Sequence, residues 1–160
     1  MTGRFVGEAE LETALREARE AGKRVVLTNG IFDILHPGHL GYLREAHGLG
    51  DLLVVGVNSD DAATRLKGPG RPLVAAEDRA EMLAALQPVD LVVLFDEVRA
   101  DDLMRRIQPD VYVKGGEYSP GSLPEAETAA ELGIEVRMIA YRRGYSTTEL
   151  LARMRETTAG

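Results

Sequence analysis

The sequence predicts an α/β fold, a five-stranded parallel sheet with helices on both faces. Three observations carry this expectation. Short β-branched runs alternate with stretches of helical periodicity from Arg24 onward. The runs Leu52–Val57 and Leu91–Phe95 are apolar without alternation, the pattern of strands covered by helices on both sides. A strand at Arg24–Thr28, a helix from Pro37 to about His47 and the strand Leu52–Val57 make one βαβ unit.

Each element has its own signal. Leu11, Ala14, Leu15 and Ala18 share one face of a helix over Glu8–Ala21, and Gly22 ends it. A strand at Arg24–Thr28 leads to a helix at Pro37–His47, where proline occupies the first helical position. The strand Leu52–Val57, a short helix Ser59–Leu66, the polar loop Lys67–Leu73 and a helix Ala76–Leu86 follow. Next come a strand Asp90–Phe95, a helix Ala100–Ile107, a strand Asp110–Val113 and the loop Lys114–Leu123. A helix Pro124–Leu132, a strand Ile134–Ala140 and a last helix from Ser146 to about Arg155 complete the reading. Ligands of open parallel sheets bind beyond the carboxyl ends of the strands, where strand order reverses. The loops of interest therefore follow Thr28, Val57, Phe95, Val113 and Ala140.

Composition narrows the function. With 160 residues, 44% of them hydrophobic and 28% charged, the chain is expected to form one domain over 1–160, with 1–22 as a helical extension. Disordered, collagen-like and disulfide-stapled classes are excluded, since apolar residues suffice for a core and there is no cysteine. Apolar runs fall far short of the ~20 residues of a membrane span, and Met1–Glu12 carries acids and no apolar leader core, so a soluble, cytoplasmic protein without a membrane partner is expected. Nineteen Lys and Arg against 26 Asp and Glu leave a net charge of −7, which repels nucleic acids. Local anion sites remain, because Arg65, Lys67 and Arg71 cluster and Arg142 adjoins Arg143.

Two of the three histidines lie in the loop after the first strand, in Thr28-Asn29-Gly30-Ile31-Phe32-Asp33-Ile34-Leu35-His36-Pro37-Gly38-His39. Pro37 makes His36 the helix cap and His39 the third helical residue, so both imidazoles share one side of a helix start. Free backbone N–H groups and the positive end of the helix dipole point there too, which suits a phosphate. The bland alternative is a weak cap at His36 and a core residue at His39. The Pro-Gly spacing at the end of a strand favours the phosphate site. Asp33 would either cap the turn or fix the tautomer of a histidine, and the sequence leaves both open. Asn29 and Gly30 form a turn pair against which a triphosphate can lie.

Lys67 and Lys114 fall in loops where ligands are expected, the first beside Gly68-Pro69-Gly70-Arg71-Pro72 and the second before Gly115-Gly116. Ser146-Thr147-Thr148-Glu149 is a capping box, and with Arg142-Arg143-Gly144 upstream it makes a second helix start rich in hydroxyl and cationic donors. No P-loop is present, the Gly48-Leu49-Gly50-Asp51 stretch fails as a dinucleotide fingerprint, and two histidines alone make a poor zinc site. No nucleophile–base pair is evident, so direct displacement between bound substrates is the simpler chemistry.

The segment Thr28–His39, with Gly-x-Phe-Asp-x-Leu-His-x-Gly-His, resembles the signature of the cytidylyltransferase-like nucleotidyltransferases, and Gly144-Tyr145-Ser146-Thr147-Thr148 resembles their second motif. Gly56-Val57-Asn58-Ser59-Asp60, Arg65-Leu66-Lys67-Gly68 with Arg71-Pro72, and Val111-Tyr112-Val113-Lys114-Gly115-Gly116-Glu117-Tyr118 are similar to the adenylyltransferases of ADP-heptose synthesis. The resemblance spans about Val25–Met154. It implies a Rossmann-like sheet and transfer of AMP from ATP to D-glycero-β-D-manno-heptose 1-phosphate, with Mg2+ carried on ATP.

It also implies residue roles. His36 and His39 would meet the phosphates at the scissile bond, and Lys67 the acceptor phosphate or the α-phosphate. Arg79 would meet the leaving phosphates, and Ser146, Thr147 and Thr148 the β- and γ-phosphates. Thr28, Asn29, Gly30, Ile31 and Phe32 would contact the nucleotide, and Lys114, Gly115 and Gly116 would border the base. Asp33, Asn58 and Arg71 would join Lys67 on the sugar phosphate. Ile31 stands where Cys is common and Tyr145 where Arg, Cys or Ile is usual; neither is expected to supply an essential group. Ser119–Leu123 is less typical and bears on the acceptor. Family members often form dimers, so the resemblance allows a homodimer. The rival readings are a glycerol-3-phosphate cytidylyltransferase, an FMN adenylyltransferase, or a non-catalytic ATP-binding module.

Overall fold

The computed structural model describes residues 3–116 and 122–159. Glu117 and Tyr118, and Ser119–Gly121 of the atypical stretch, lie outside the described residues. In chain order the elements are β1 (Arg4–Phe5), α1 (Glu8–Glu20), β2 (Val25–Gly30), α2 (Pro37–His47), β3 (Leu52–Asn58), α3 (Asp60–Lys67) and α4 (Ala76–Ala84). They continue with β4 (Leu91–Phe95), α5 (Asp101–Ile107), β5 (Val111–Gly115), α6 (Ala126–Leu132), β6 (Glu135–Ile139) and α7 (Thr147–Ala159).

All strands are parallel, in the order β1-β4-β3-β2-β5-β6. Among the described residues the sheet thus has six strands, where the sequence predicts five. The additional strand is β1, whose Arg4 and Phe5 stand beside Leu91 and Val92. Two residues carry no periodicity to read. They extend the sheet because β4 would otherwise present an open edge, and the Arg4 and Val6 N–H groups close it on the Asp90 and Val92 carbonyls at 2.9 Å. The same turn buries Val6 and starts α1, whose Leu11, Leu15 and Ala18 pack into the core.

Strand periodicity explains the unbroken apolar runs. Leu27, Val54, Leu91 and Val93 point into one core with α1 and α5. Val26, Leu53, Val55 and Val92 point into the other, with α2 and α4. The apolar residues of these strands are thus divided between two hydrophobic layers. The order reverses at β2, which has β3 on one side and β5 on the other. This opens a crevice at their carboxyl ends. Among the described residues no helix is long and apolar enough to cross a membrane.

Candidate active site

β2 ends at Gly30, and the chain turns through Phe32 in a left-handed conformation (φ 52°) before entering α2. His36 is the cap of α2, in extended geometry, and its Nδ1 accepts the Gly38 N–H at 3.1 Å. His39 follows one turn later. The two rings stack with centroids 3.8 Å apart and planes 28° from parallel. Burial, with the neighbouring His36 acting in the same direction, pulls His39 down to about 4. Burial also holds His36 below its ordinary value, against the opposing pull of Glu149. His39 is therefore neutral at pH 7. Its Nδ1 is buried without a protein partner.

Beneath the histidines a polar knot fixes α2 to the sheet. The Thr28 and Tyr42 hydroxyls are hydrogen-bonded to each other and lie 2.9 and 3.1 Å from the Val113 carbonyl. Thr28 is fully buried, so it supports the site from behind and does not touch a nucleotide, contrary to its expected role. Asn29 likewise turns inward, accepting the Tyr112 hydroxyl at 2.5 Å.

The histidines open onto a cavity of about 260 Å³. Ile31, Phe32, Asp33, His36 and His39 line it from the β2–α2 turn; Lys67 and Arg71 line it from the end of α3 and the following loop. Ser146, Thr147 and Thr148 line it from the start of α7, where the Ser146 hydroxyl accepts the Glu149 N–H at 3.0 Å, one half of the expected capping box. Segments separated by over a hundred residues thus converge on one space. The cavity wall offers two cations, the hydroxyls of Ser146, Thr147 and Thr148, and two helix starts, a set suited to polyphosphate.

Other expected contacts are changed by the geometry. Asp33 neither touches a histidine nor faces a ligand with free oxygens: its side chain is 2% exposed and accepts Arg71 Nε and the Leu73 and Val74 N–H groups, each at 2.9 Å. It holds the loop that carries Arg71. Asn58 is buried and donates to the Glu97 carbonyl at 3.0 Å, tying the end of β3 to the loop after β4 and not reaching a substrate. Arg79 is fully buried; it donates to the Val74 and Ile31 carbonyls at 2.8 and 2.6 Å and pairs with Asp60 at 2.8 Å. A guanidinium so committed joins two active-site loops and has no donor group turned to a leaving phosphate. Lys114 lies outside the cavity wall, 3.8 Å from the buried carboxylate of Glu125, with Gly115 and Gly116 beside it; Gly30 stands behind Phe32.

Two aromatic residues complete the wall and escaped the sequence reading as site residues. Tyr145 stacks on His36 at 6.3 Å, with the Arg142 guanidinium 5.2 Å from its ring centroid. Tyr141 stands edge-on to His39 at 6.2 Å. The sequence held one hint of this, an aromatic directly before a capped helix start.

Comparison with known proteins agrees with this geometry. The family described as cytidylyltransferase-like matches residues 27–153. The bifunctional protein HldE of Alcanivorax borkumensis is 47% identical over 156 residues, 97% of this chain and 33% of that protein. HldE of Nitrobacter hamburgensis is 51% identical over 144 residues, 90% of this chain and 29% of the relative. The chain spans about a third of the length of the curated relatives it matches. A crystal structure described as a lipopolysaccharide core biosynthesis protein from Thermoplasma volcanium superposes with a TM-score of 0.61 at 30% identity, covering 78% of this chain and all of that one.

Proposed function

From the premise that the chain belongs to the cytidylyltransferase-like family, we propose that it is an adenylyltransferase joining D-glycero-β-D-manno-heptose 1-phosphate to ATP, releasing pyrophosphate. The observation that carries this reading is the stacked pair of histidines at the start of α2, opening onto a cavity shared with Lys67, Arg71 and Ser146–Thr148. The similarity to HldE proteins over nearly the whole chain supports the acceptor.

The chemistry follows from charge. A phosphate oxygen of the sugar attacks the α-phosphorus of ATP in line with the departing pyrophosphate, and no covalent intermediate on the protein is needed. The protein's work is to align two anions and to neutralise the charge that develops. Neutral His36 and His39 donate hydrogen bonds at the α-phosphate without adding to the desolvation cost of a buried cation. Lys67 and Arg71 hold the acceptor phosphate; Ser146, Thr147 and Thr148 receive the β- and γ-phosphates at the start of α7. Ile31 and Phe32 line the floor of the nucleotide site.

Mg2+ carried on the triphosphate supplies further charge neutralisation when bound. Among the described residues no group of three His, Asp or Glu gathers to hold a metal, and the carboxylate on the cavity wall, Asp33, has its oxygens committed to Arg71, Leu73 and Val74. The ion would thus be held by ATP and water, in keeping with its reluctance to dehydrate.

The test is Mg2+-dependent pyrophosphate release from ATP and from CTP, each offered the heptose 1-phosphate, glycerol 3-phosphate or FMN. Release with ATP and the heptose phosphate alone is the expected result. Release with another pair would keep the mechanism and move the substrate, and ATP binding without release would make the chain a nucleotide-binding module.

A further inference from the structure

Tyr141 is 41% exposed, yet it is held on several sides. Its ring stacks on Tyr42 at 5.2 Å and 29°, and meets His39 at right angles. Its tip lies over Gly115 so closely that a Cβ there would fall 2.5 Å from its Cζ and hydroxyl oxygen. Tyr42 is itself buried and anchored to the Val113 carbonyl, so the surface behind Tyr141 does not yield. With this backing Tyr141 stands on the cavity wall, at the carboxyl end of β5 beside the reversal of strand order.

An aromatic ring backed in this way is pre-organised to stack with a flat partner. Tyr141 and Ser146 lie five residues apart in the connector between β6 and α7. That one connector therefore presents a stacking surface and, at its end, hydroxyls for an anion. A ligand with a planar head and an anionic tail matches both, and a sugar phosphate matches only one. Lys67 and Arg71, which reach the cavity from α3 and its following loop, are left for the second anion.

We propose that Tyr141 is the stacking platform for the nucleobase, and that it selects a purine over a pyrimidine nucleotide through the larger ring it covers. This assignment rests on the adenylyl-transfer reading. Gly115 belongs to it as the position that must lack a side chain for the ring to lie flat.

The test is calorimetric binding of ADP, CDP and tripolyphosphate to the wild type and to Y141F, Y141L and Y141A, with thermal unfolding of each variant as a check of the fold. Y141F should bind ADP within about twofold of wild type, whereas Y141L and Y141A should lose about tenfold or more, the scale of one stacked base. Tripolyphosphate binding should not change, and the loss for CDP should be smaller than for ADP. A wild type that binds tripolyphosphate but no ADP or CDP overturns the adenylyl-transfer reading and the platform with it. Equal ADP affinity in wild type and in a folded Y141L overturns the platform alone, as does a loss in Y141F equal to that in Y141A, which would assign the effect to the hydroxyl.

Discussion

Asp33 and Arg71 form an ion pair at 2.9 Å on the cavity wall, and the same carboxylate accepts the backbone N–H groups of Leu73 and Val74. Arg71 is bound through Nε, while Thr64 donates to its carbonyl at 2.6 Å. The loop that presents one of the two cavity cations is thus held at its far end by a buried acid. Replacing Asp33 with Ala leaves these donors without an acceptor, a loss of about 1–3 kcal/mol. Hydrogen exchange should show faster exchange at Leu73 and Val74, and the KM for the acceptor should rise. Unchanged protection at both amides would refute the role.

The Asp33 carboxyl also sets a pH limit. Burial alone would raise its pKa, but the Leu73 and Val74 N–H groups and the Arg71 guanidinium outweigh burial and hold it below its ordinary value of 3.8. A carboxyl depressed in the folded state contributes stability that is present above the unfolded value and is lost as pH falls through the folded one. Urea midpoints measured from pH 5 downward should therefore fall more steeply for wild type than for Asp33→Ala.

Arg79 ties the turn after β2 to the loop before α4, through the carbonyls of Ile31 and Val74. Its loss should act on stability first. Arg79→Met is expected to lower the unfolding free energy by about 1.5–3 kcal/mol, the range for hydrogen bonds to a charged group, while a preparation held well below its melting temperature still binds tripolyphosphate. Loss of tripolyphosphate binding with an unchanged melting temperature would restore a direct phosphate contact.

The contrast between Arg79 and His36 shows what the sequence made legible. His36 was readable because Pro37 fixes the first helical position and so the cap, a local rule; the structure returns α2 with the expected bounds and the cap in place. Arg79 was not, because its three partners, Ile31, Val74 and Asp60, come from two loops and the start of α3, whose approach is set by packing. Asp33 belongs with Arg79. Its residue type fitted a turn cap or a histidine partner equally well, and only the return of the loop at Leu73 decides. Strand β1 escaped for another reason: two residues bear no period, and their pairing is dictated by the open edge of β4. Tyr141 was hidden because an isolated aromatic in a connector reads the same whether it packs or lines a cavity.

His39, with its value near 4, should leave a mark on stability. The unfolded chain takes up a proton at His39 below about 6.5, and the folded chain does so only below about 4. In that window the unfolded state binds more protons, so stability falls as pH falls, by at most ~1.4 kcal/mol per pH unit for this group. His36, also lowered, adds in the same sense. His39→Asn should flatten the dependence of the urea midpoint on pH between 6.5 and 4. Turnover should drop about 10²-fold in His39→Ala with the fold retained, the usual scale for a lost transition-state donor. A variant with near-normal turnover would remove His39 from the chemistry.

Gly38 sets two general effects against each other. Alanine is the better helix former by about 1 kcal/mol, so propensity alone predicts that Gly38→Ala stabilises α2. The surroundings predict the opposite. A Cβ at this position would lie 2.8 Å from Cε1 and 2.9 Å from Nδ1 of His36, and 3.1 Å from the Tyr145 carbonyl. The ring cannot swing aside freely, because its Nδ1 accepts the Gly38 N–H and its face lies against His39. Nor can the Tyr145 carbonyl retreat without carrying the connector away from the cavity. The methyl group must therefore displace His36 from the stack, and turnover should fall by about 10²-fold, as for loss of one donor. Melting temperature and kcat of Gly38→Ala, measured together, decide between the two effects: a more stable variant with undiminished kcat would mean that the glycine serves neither the stack nor the site.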